Sequence, residues 1–223
     1  MYWQEDIKEE HFTVPNNIKD AVFNIQCKAL PIDHSYLLSE SLVKLLPWLK
    51  DVNAGIHDIS VADGNGWEQN RNAGLFYPSR RSKLLIRMPS DKLNKLESLI
   101  NETLTIGDYE LTITKQLKSK PMSNMQILFA KNVACKKELS EQEFLEISFE
   151  QLTKIGIKAK KMLAGLERDI STPEGKIHTR SLMLANLTKS ESVTLQEQGI
   201  GDFRLLGCGL FVPQKDIESV AAV

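Results

Sequence analysis

Two of the three histidines in the first third of the chain, His34 and His57, are candidates for transferring protons. His34 follows Asp33, the expected N-cap of a helix, so its imidazole is expected at the positive end of that helix. This position favours a nearby anion and the neutral form of the ring, so a phosphate would meet His34 in its base form. His57 shares one face of a predicted strand with Ile59 and Val61, where a histidine is usually a core residue, and both roles remain open.

A glycine-rich segment near the C-terminal end has the composition expected where the backbone approaches a ligand closely. Gly199 and Gly201 form one Gly-x-Gly pair, Gly207 and Gly209 form a second, and Arg204 lies between them. Glycine adopts positive φ and exposes main-chain N–H groups. The segment lacks the Gly-Lys-Ser/Thr ending of a P-loop and the third glycine of a dinucleotide fingerprint. We expect a phosphodiester chain as the ligand; a glycine-bent hairpin without a ligand is the alternative.

A basic strand in the second half is a further candidate for phosphate contacts. Lys176, His178 and Arg180 alternate, so a strand would place all three on one face with a period of two residues. Such a row can follow a phosphate backbone. The alternative is a basic strand face that only contacts solvent.

Three segments, in order along the chain, resemble the Cas6 pre-crRNA endoribonucleases of CRISPR systems, which belong to the repeat-associated mysterious protein superfamily. They are Leu30-Pro31-Ile32-Asp33-His34-Ser35-Tyr36-Leu37-Leu38, then Gly55-Ile56-His57-Asp58-Ile59, and the two Gly-x-Gly pairs. The first two segments resemble the MYXAN subtype of that family. The similarity extends over about residues 21–213, and it excludes 62–79 and the acidic first ten residues.

The resemblance implies an endoribonuclease that cuts repeat RNA once per repeat, without a metal or another cofactor. It implies that a 2′-hydroxyl attacks the phosphate and leaves a 2′,3′-cyclic phosphate and a 5′-hydroxyl. His34 would be the base, His57 the acid and Tyr36 an accessory group. A cation must also stabilise the phosphorane, and the sequence does not rank the candidates Arg80, Arg81, Lys83 and Lys44.

The resemblance also implies the partners. Family members often hold the 3′ hairpin of the processed RNA as a subunit of the interference complex, so guide RNA and neighbouring subunits are expected. One alternative is a non-catalytic guide-RNA-binding subunit of the same fold, with structural histidines. A ferredoxin-like protein that binds a small metabolite is a further alternative, but it would leave the basic strand and the glycine segment without a common purpose.

Apolar periodicity and turn signals predict an α+β fold of two tandem ferredoxin-like (RRM-like) βαββαβ domains, the second less regular, with the glycine-rich loop at its end. In the first domain we expect strands 21–29, 56–61, 82–88 and 109–114, and helices up to residue 49 and over 90–102, the latter capped by Ser90. In the second we expect strands 126–134, 161–169, 177–186 and 205–212, and helices 140–156 and 188–198. Lys118-Ser119-Lys120-Pro121 is the expected boundary, giving domains 1–118 and 119–223.

Composition limits the classes of protein and the kinds of site that are consistent with the sequence. The chain has 223 residues and a net charge of −1, so the overall charge does not indicate nucleic acid. The basic residues are unevenly placed, however, with seven against three acids over residues 154–180. The three widely spaced cysteines fit neither a disulfide framework nor a zinc site, and no signal peptide or membrane-spanning segment is expected, so we expect a cytoplasmic protein with no membrane partner.

Overall fold

The computed structural model describes residues 12–59, 69–70 and 74–214, which form three antiparallel sheets and their connecting helices. The strands are β1 (Ile18–Cys27), β2 (Leu30–Pro31), β3 (Gly55–Ile56), β4 (Gln69–Asn70), β5 (Leu75–Phe76), β6 (Lys83–Pro89), β7 (Thr103–Ile106), β8 (Tyr109–Pro121), β9 (Leu128–Ala134), β10 (Lys161–Thr172), β11 (Gly175–Ala185) and β12 (Phe211–Pro213). The α-helices are α1 (Ser35–Leu45), α2 (Glu141–Lys154) and α3 (Lys189–Gln198). Short 3-10 helices span Pro47–Asp51, Ser90–Leu99 and Arg204–Leu206.

The two larger sheets have the same strand arrangement, and this confirms the tandem ferredoxin-like fold. The first has the order β3-β6-β1-β8-β7, and the second β10-β11-β9-β12. In each, the first strand of the unit pairs with its third and its last strand, and every pairing is antiparallel. In the first unit β7 extends the sheet beyond β8, and β2, β5 and β4 form a small separate sheet. The last strand of the second unit has only three residues, in keeping with its expected irregularity.

The helix that carries His34 begins one residue later than predicted. His34 itself is the N-cap of α1, and it makes no capping side-chain hydrogen bond. The Asp33 carboxylate instead accepts a hydrogen bond of 2.9 Å from the backbone N–H of Ser171, so its prediction as the N-cap is wrong. The helix ends at Leu45 and not near residue 49, because Pro47 disfavours helical backbone at the residue before it.

Three further predicted elements differ from the observed ones. Residues 90–99 form a 3-10 helix without a Ser90 cap, since the residue at the N-cap is Pro89. The predicted strand 205–212 is shortened to β12, because Gly207 and Gly209 have positive φ and bend the chain before it. The predicted strand 56–61 is represented by the two residues of β3, and residues 60–61 lie outside the described part of the chain.

Helices α2 and α3 begin where the sequence predicts. Ser140 and Glu143 form a capping box at α2, in which the Ser140 hydroxyl accepts from the Glu143 N–H and the Glu143 carboxylate accepts from the Ser140 N–H. Thr188 and Glu191 form the same arrangement at α3. Each box satisfies two otherwise unpaired N–H groups in the first turn. No helix in the described ranges is long and apolar enough to cross a membrane.

Each half has its own apolar core. The first lies between α1, the 3-10 helix Ser90–Leu99 and the five-stranded sheet, and it includes Phe23, Leu42, Leu84, Ile86 and Leu96. The second lies between α2, α3 and the four-stranded sheet, and it includes Leu128, Phe144, Leu182, Leu195 and Phe211. The expected boundary segment 118–121 is the end of β8, where Pro121 pairs with Lys19. The division into domains 1–118 and 119–223 therefore stays a prediction.

A buried arginine joins the two halves. Arg87 on β6 is 1% exposed, and its guanidinium donates to both carboxylate oxygens of Asp20 on β1, at 2.8 and 3.0 Å. The remaining terminal nitrogen donates to the carbonyls of Gln196 and Phe211 in the second half, at 3.0 and 2.8 Å. Burial alone would raise the pKa of Asp20, but the neighbouring His57 and Arg87 groups hold it well below its usual range. The charge pair is thus satisfied only when both halves are in place.

We expect Arg87→Met to lower the free energy of unfolding by about 3–5 kcal/mol, because it removes the positive charge and both hydrogen bonds that Arg87 gives to the buried Asp20 carboxylate. Urea denaturation at neutral pH measures this. Arg81→Met, at an exposed arginine, should change stability by no more than about 0.5 kcal/mol. The double variant Asp20→Ala/Arg87→Met should be more stable than Arg87→Met. Equal stability of Arg87→Met and the unmodified protein would contradict the role of this pair.

Candidate active site

His34 is buried and held by two backbone groups at the start of α1. Its ring is 2% exposed and lies 5.3 Å, between centroids, from the ring of Phe76. Its Nδ1 lies 2.9 Å from the carbonyl of Pro31, and its Nε2 lies 3.2 Å from the backbone N–H of Ile59. These partners assign the proton to Nδ1, which donates, and the lone pair to Nε2, which accepts. Burial lowers the pKa of His34, although the Asp58 carboxylate opposes this, so the ring is neutral at neutral pH.

A cluster of polar groups adjoins His34 and draws on both halves of the chain. Asp58 accepts a hydrogen bond from the Ser35 hydroxyl, and its other oxygen accepts one of 2.5 Å from the Lys131 ammonium. Ser35 opens α1, Asp58 follows β3, and Lys131 lies on β9, where alternation turns it away from the core residue Ala130. Burial would raise the pKa of Asp58, but Lys131 and His34 lower it below its usual range. The result is an ionised carboxylate that orients a cation beside a neutral imidazole.

Lys131 reaches the surface of this cluster. Its side chain is 42% exposed, whereas that of Asp58 is 13% exposed. Lys131, Asp58 and Ser35 were not among the candidate residues predicted from the sequence. The signal available was a lysine inside the largely apolar strand β9, together with the aspartate that directly follows His57. Nothing in the sequence indicated that these two residues are neighbours.

The glycine segment packs tightly against the protein itself. A Cβ atom at Gly199 would lie 2.3 Å from the carbonyl oxygen of Gly209, and one at Gly209 would lie 2.0 Å from that of Ile200. A Cβ at Gly207 would lie 3.2 Å from the carbonyl of Ile56 and 3.6 Å from the backbone nitrogen of Asp58. The predicted close approach is therefore present, and its partners include the opposite glycine pair and the segment that carries Asp58. Gly201, in contrast, faces open space, with its nearest neighbour 3.8 Å away.

Arg204 stabilises the end of α3. Its two terminal nitrogens donate to the carbonyls of Gln198 and Glu197, at 2.7 and 2.8 Å. These carbonyls belong to the last turn of the helix, where a positive charge is favourable. Burial, together with the charge of Arg87, lowers the pKa of Arg204 to about 10. A phosphate contact from Arg204 stays a prediction, because the side chain already has these partners.

His57 belongs to the Arg87 network and not to the cluster around His34. Its backbone N–H donates to the carbonyl of Leu85, and its Nε2 lies 3.4 Å from Asp20, longer than a normal hydrogen bond. Burial lowers the pKa of His57 and Arg87 lowers it further, although Asp20 raises it. The structure gives the two histidines no common hydrogen-bond partner among the described residues. The role of His57 as the acid stays a prediction.

The basic strand face has the predicted geometry, but its charge is partly offset. Lys176, His178 and Arg180 lie on one face of β11, opposite two carboxylates of β10. Asp169 lies 2.5 Å from Nδ1 of His178 and 3.4 Å from the Lys176 ammonium, and Glu167 binds Arg180. A cavity of about 290 Å³ lies here, lined by His178, Arg180, Asp169 and Glu167 together with the neighbouring Phe144 and Arg168. An RNA phosphate bound here would compete with Asp169 and Glu167.

The other predicted site residues are placed as follows. Tyr36 lies in the first turn of α1 and lines a groove of about 870 Å³, as do Lys44 and Arg204. Burial and the Glu40 carboxylate raise the pKa of Tyr36. Arg80 and Arg81 are exposed before β6, and neither forms an ion pair within the part of the chain that the structure describes. In that same part, no three His, Cys, Asp or Glu residues are arranged to hold a metal ion.

Comparison with known proteins gives consistent matches over most of the chain. The family model described as Cas6 Crispr matches residues 20–216. A CRISPR-associated endonuclease Cas6 of Myxococcus xanthus (strain DK1622) is 29% identical over 194 residues, covering 87% of this chain and 80% of that relative. A structure described as CRISPR associated protein Cas6 superposes with a TM-score of 0.60 at 12% identity, covering 89% of this chain and 100% of the other. Thermus thermophilus Cse3, bound to an RNA representing a pre-cleavage complex, gives 0.51 at 11% identity, with 88% and 98% covered. At these identities the two structures support the fold.

We expect Gly209→Ala to destabilise the protein much more than Gly201→Ala. Both glycines have positive φ, so alanine costs about 1–2 kcal/mol of backbone strain at either position. Only at position 209 does the new methyl group also overlap a carbonyl, so the loss there should exceed that at position 201 by at least about 2 kcal/mol. Thermal or urea unfolding of the two variants measures the difference. Equal losses would show that the glycine pairs do not pack as described.

Proposed function

The chain belongs to the Cas6 family of CRISPR proteins, and on that premise we propose that it is an endoribonuclease that cleaves CRISPR repeat RNA by attack of a 2′-hydroxyl. The products are a 2′,3′-cyclic phosphate and a 5′-hydroxyl, and the reaction needs no metal ion. The observation that supports this is the cluster of His34, Ser35, Asp58 and Lys131, which joins a neutral imidazole to an oriented cation. A protein that acts on transcripts in this way works in the cytoplasm.

His34 is the base in this mechanism. The neutral ring holds its proton on Nδ1, so Nε2 is the atom that accepts the proton of the 2′-hydroxyl. In the free protein Nε2 accepts from the Ile59 N–H, and this contact must open when RNA binds. Such rearrangement is common, since catalytic hydrogen bonds often form only in the substrate complex. The Pro31 carbonyl keeps the ring in the correct tautomer throughout.

Lys131 supplies the positive charge. As the 2′-oxygen bonds to phosphorus, negative charge builds on the phosphorane oxygens, and a pre-oriented ammonium stabilises it. Asp58 holds that ammonium in position at 2.5 Å. The bond from phosphorus to the 5′-oxygen then breaks, and this oxygen takes a proton. The sequence predicts His57 as the donor of this proton. We propose Lys131 in its place, because burial and Arg87 favour the neutral form of His57 and because His57 lies beside Asp20, outside the cluster at His34.

The RNA path follows from the remaining predicted residues. Lys176, His178 and Arg180 bind phosphates of the repeat hairpin, with displacement of Asp169 and Glu167. Arg80 and Arg81 add exposed charge next to the first sheet. The glycine segment Gly199 to Gly209 contributes mainly by holding the two halves together at the site, with Gly201 the position open to close main-chain contact. The protein remains on the 3′ hairpin of its product as a subunit of an interference complex.

The alternative is a guide-RNA-binding subunit without catalytic activity. One observation favours it: His34 is 2% exposed, and both of its ring nitrogens have backbone partners. A histidine with these contacts also serves as a structural link between the start of α1 and the segment after β3. Cleavage assays separate the two functions directly, because both predict binding of repeat RNA.

We expect the purified protein to cleave repeat RNA in the presence of EDTA, and a 2′-deoxynucleotide at the cleavage position to block the reaction. His34→Ala should lower the cleavage rate about 10²–10⁴-fold and change RNA affinity by no more than a few fold. Gel analysis of end-labelled RNA measures both. Cleavage of the deoxy-substituted RNA would contradict 2′-hydroxyl attack. Tight binding without cleavage by the unmodified protein would favour the non-catalytic subunit.

We expect Lys131→Met to slow cleavage about 10²–10³-fold, because the phosphorane loses its cation, while Lys131→Arg restores part of the rate. Lys92→Met is the control, since Lys92 is 37% exposed and ion-paired to Asp91, outside the site. Rates are compared per folded molecule, with folding followed by circular dichroism. Full activity of Lys131→Met would remove Lys131 from the mechanism.

A further inference from the structure

We infer that Phe203 is a stacking platform for one unpaired nucleobase of the bound RNA. Phe203 lies between the two glycine pairs, and its side chain is 48% exposed. Its backbone is left-handed, with φ 62° and ψ 36°. For a bulky residue this conformation is a genuine outlier and costs roughly 1–2 kcal/mol. The protein therefore holds a strained aromatic residue at the surface, where burial does not offset the strain.

Hydrogen bonds within the loop hold Phe203 in this strained conformation. The Phe203 carbonyl accepts hydrogen bonds from the N–H groups of Leu206, at 2.8 Å, and Cys208, at 3.3 Å. Glycine at this position would adopt the same backbone without steric cost. Strained residues of this kind are concentrated at sites where the side chain has a function, so the conformation of Phe203 indicates a function for its ring.

The surroundings of Phe203 identify the ligand as a nucleotide. The residue lines two cavities. The first is the groove of about 870 Å³ beside α1, which also contains Lys44 and Lys50. The second, of about 470 Å³, contains Lys136 and Lys176. An aromatic ring flanked by cations is the arrangement that binds single-stranded nucleic acid, because the ring stacks with a base and the cations bind the adjoining phosphates.

The position of the ring relative to the cluster at His34 indicates which nucleotide it contacts. The first groove includes Tyr36, two residues after His34. The same loop contacts the cluster through Gly207, which packs against the backbone of Asp58. The base on Phe203 therefore belongs to an unpaired nucleotide close to the scissile phosphate. This inference rests on the proposed function, because it assigns a subsite for the RNA of that reaction.

Repeat RNA with a 2′-deoxynucleotide at the cleavage position is the probe for binding. We expect Phe203→Ala to bind it about 5- to 100-fold more weakly than the unmodified protein, Phe203→Trp to bind it as tightly, and Phe203→Leu to bind nearly as weakly as the alanine variant. The slope of log affinity against log salt should not change, since no charge is lost. Phe149→Ala is the matched control, because Phe149 is 45% exposed on α2 and lines neither cavity, and this variant should bind normally.

An abasic scan of the unpaired nucleotides locates the stacked base. At one position the abasic RNA should lose affinity for the unmodified protein but show no further loss with Phe203→Ala, because both changes remove the same contact. Phe203→Gly should weaken RNA binding while its melting temperature stays the same or rises by about 2–4 °C as the strain is relieved. Normal RNA affinity in both Phe203→Leu and Phe203→Gly would overturn the inference and leave the nuclease proposal intact. Failure of the unmodified protein to bind repeat RNA would overturn both.

Discussion

The ion pair of Arg87 and Asp20 is the interaction on which the arrangement of the two halves depends. A buried charge is tolerated only when it is fully paired, and the Arg87 guanidinium finds its four hydrogen bonds partly in each half. Because Gln196 and Phe211 contribute carbonyls, a small displacement of one half would leave part of the guanidinium unsatisfied. The cluster at His34 needs this constraint, since Lys131 and Asp58 meet only if β9 and the end of β3 keep their relative positions.

The glycine segment works with this pair as a second constraint. Its two Gly-x-Gly pairs pack backbone against backbone, and Gly207 rests on the residues that lead to Asp58. Arg204 closes the segment onto the end of α3. The segment is therefore a rigid connection between the last helix of the second half and the cluster at His34 in the first half. That rigidity also explains how Phe203 is kept in a left-handed backbone conformation at the surface.

The two histidines differ in the charged groups that surround them. Both rings are held neutral by desolvation, but His34 adjoins an exposed cation through Asp58, whereas His57 faces the buried pair of Asp20 and Arg87. Charging either ring would cost stability, since a pKa lowered in the folded state means that protons bind more tightly to the unfolded chain. The stabilising effect is present above the ordinary histidine pKa and is lost as the pH falls below it. A neutral His34 at neutral pH is also what a base requires.

The sequence alone determined the fold class, the family and the position of His34 at the start of a helix, because these depend on local signals. Each of these signals lies within a few consecutive residues. They are the alternation of apolar residues, the capping boxes such as that of Ser140 and Glu143, and the three short motifs. The glycine pattern likewise predicted that the backbone approaches another group closely. Tertiary structure decided what the backbone approaches, which charges meet, and that Lys131 binds Asp58 in the cluster at His34. Asp58 and Lys131, for example, are 73 positions apart in the sequence, and only the packing of two separate sheets brings such residues together.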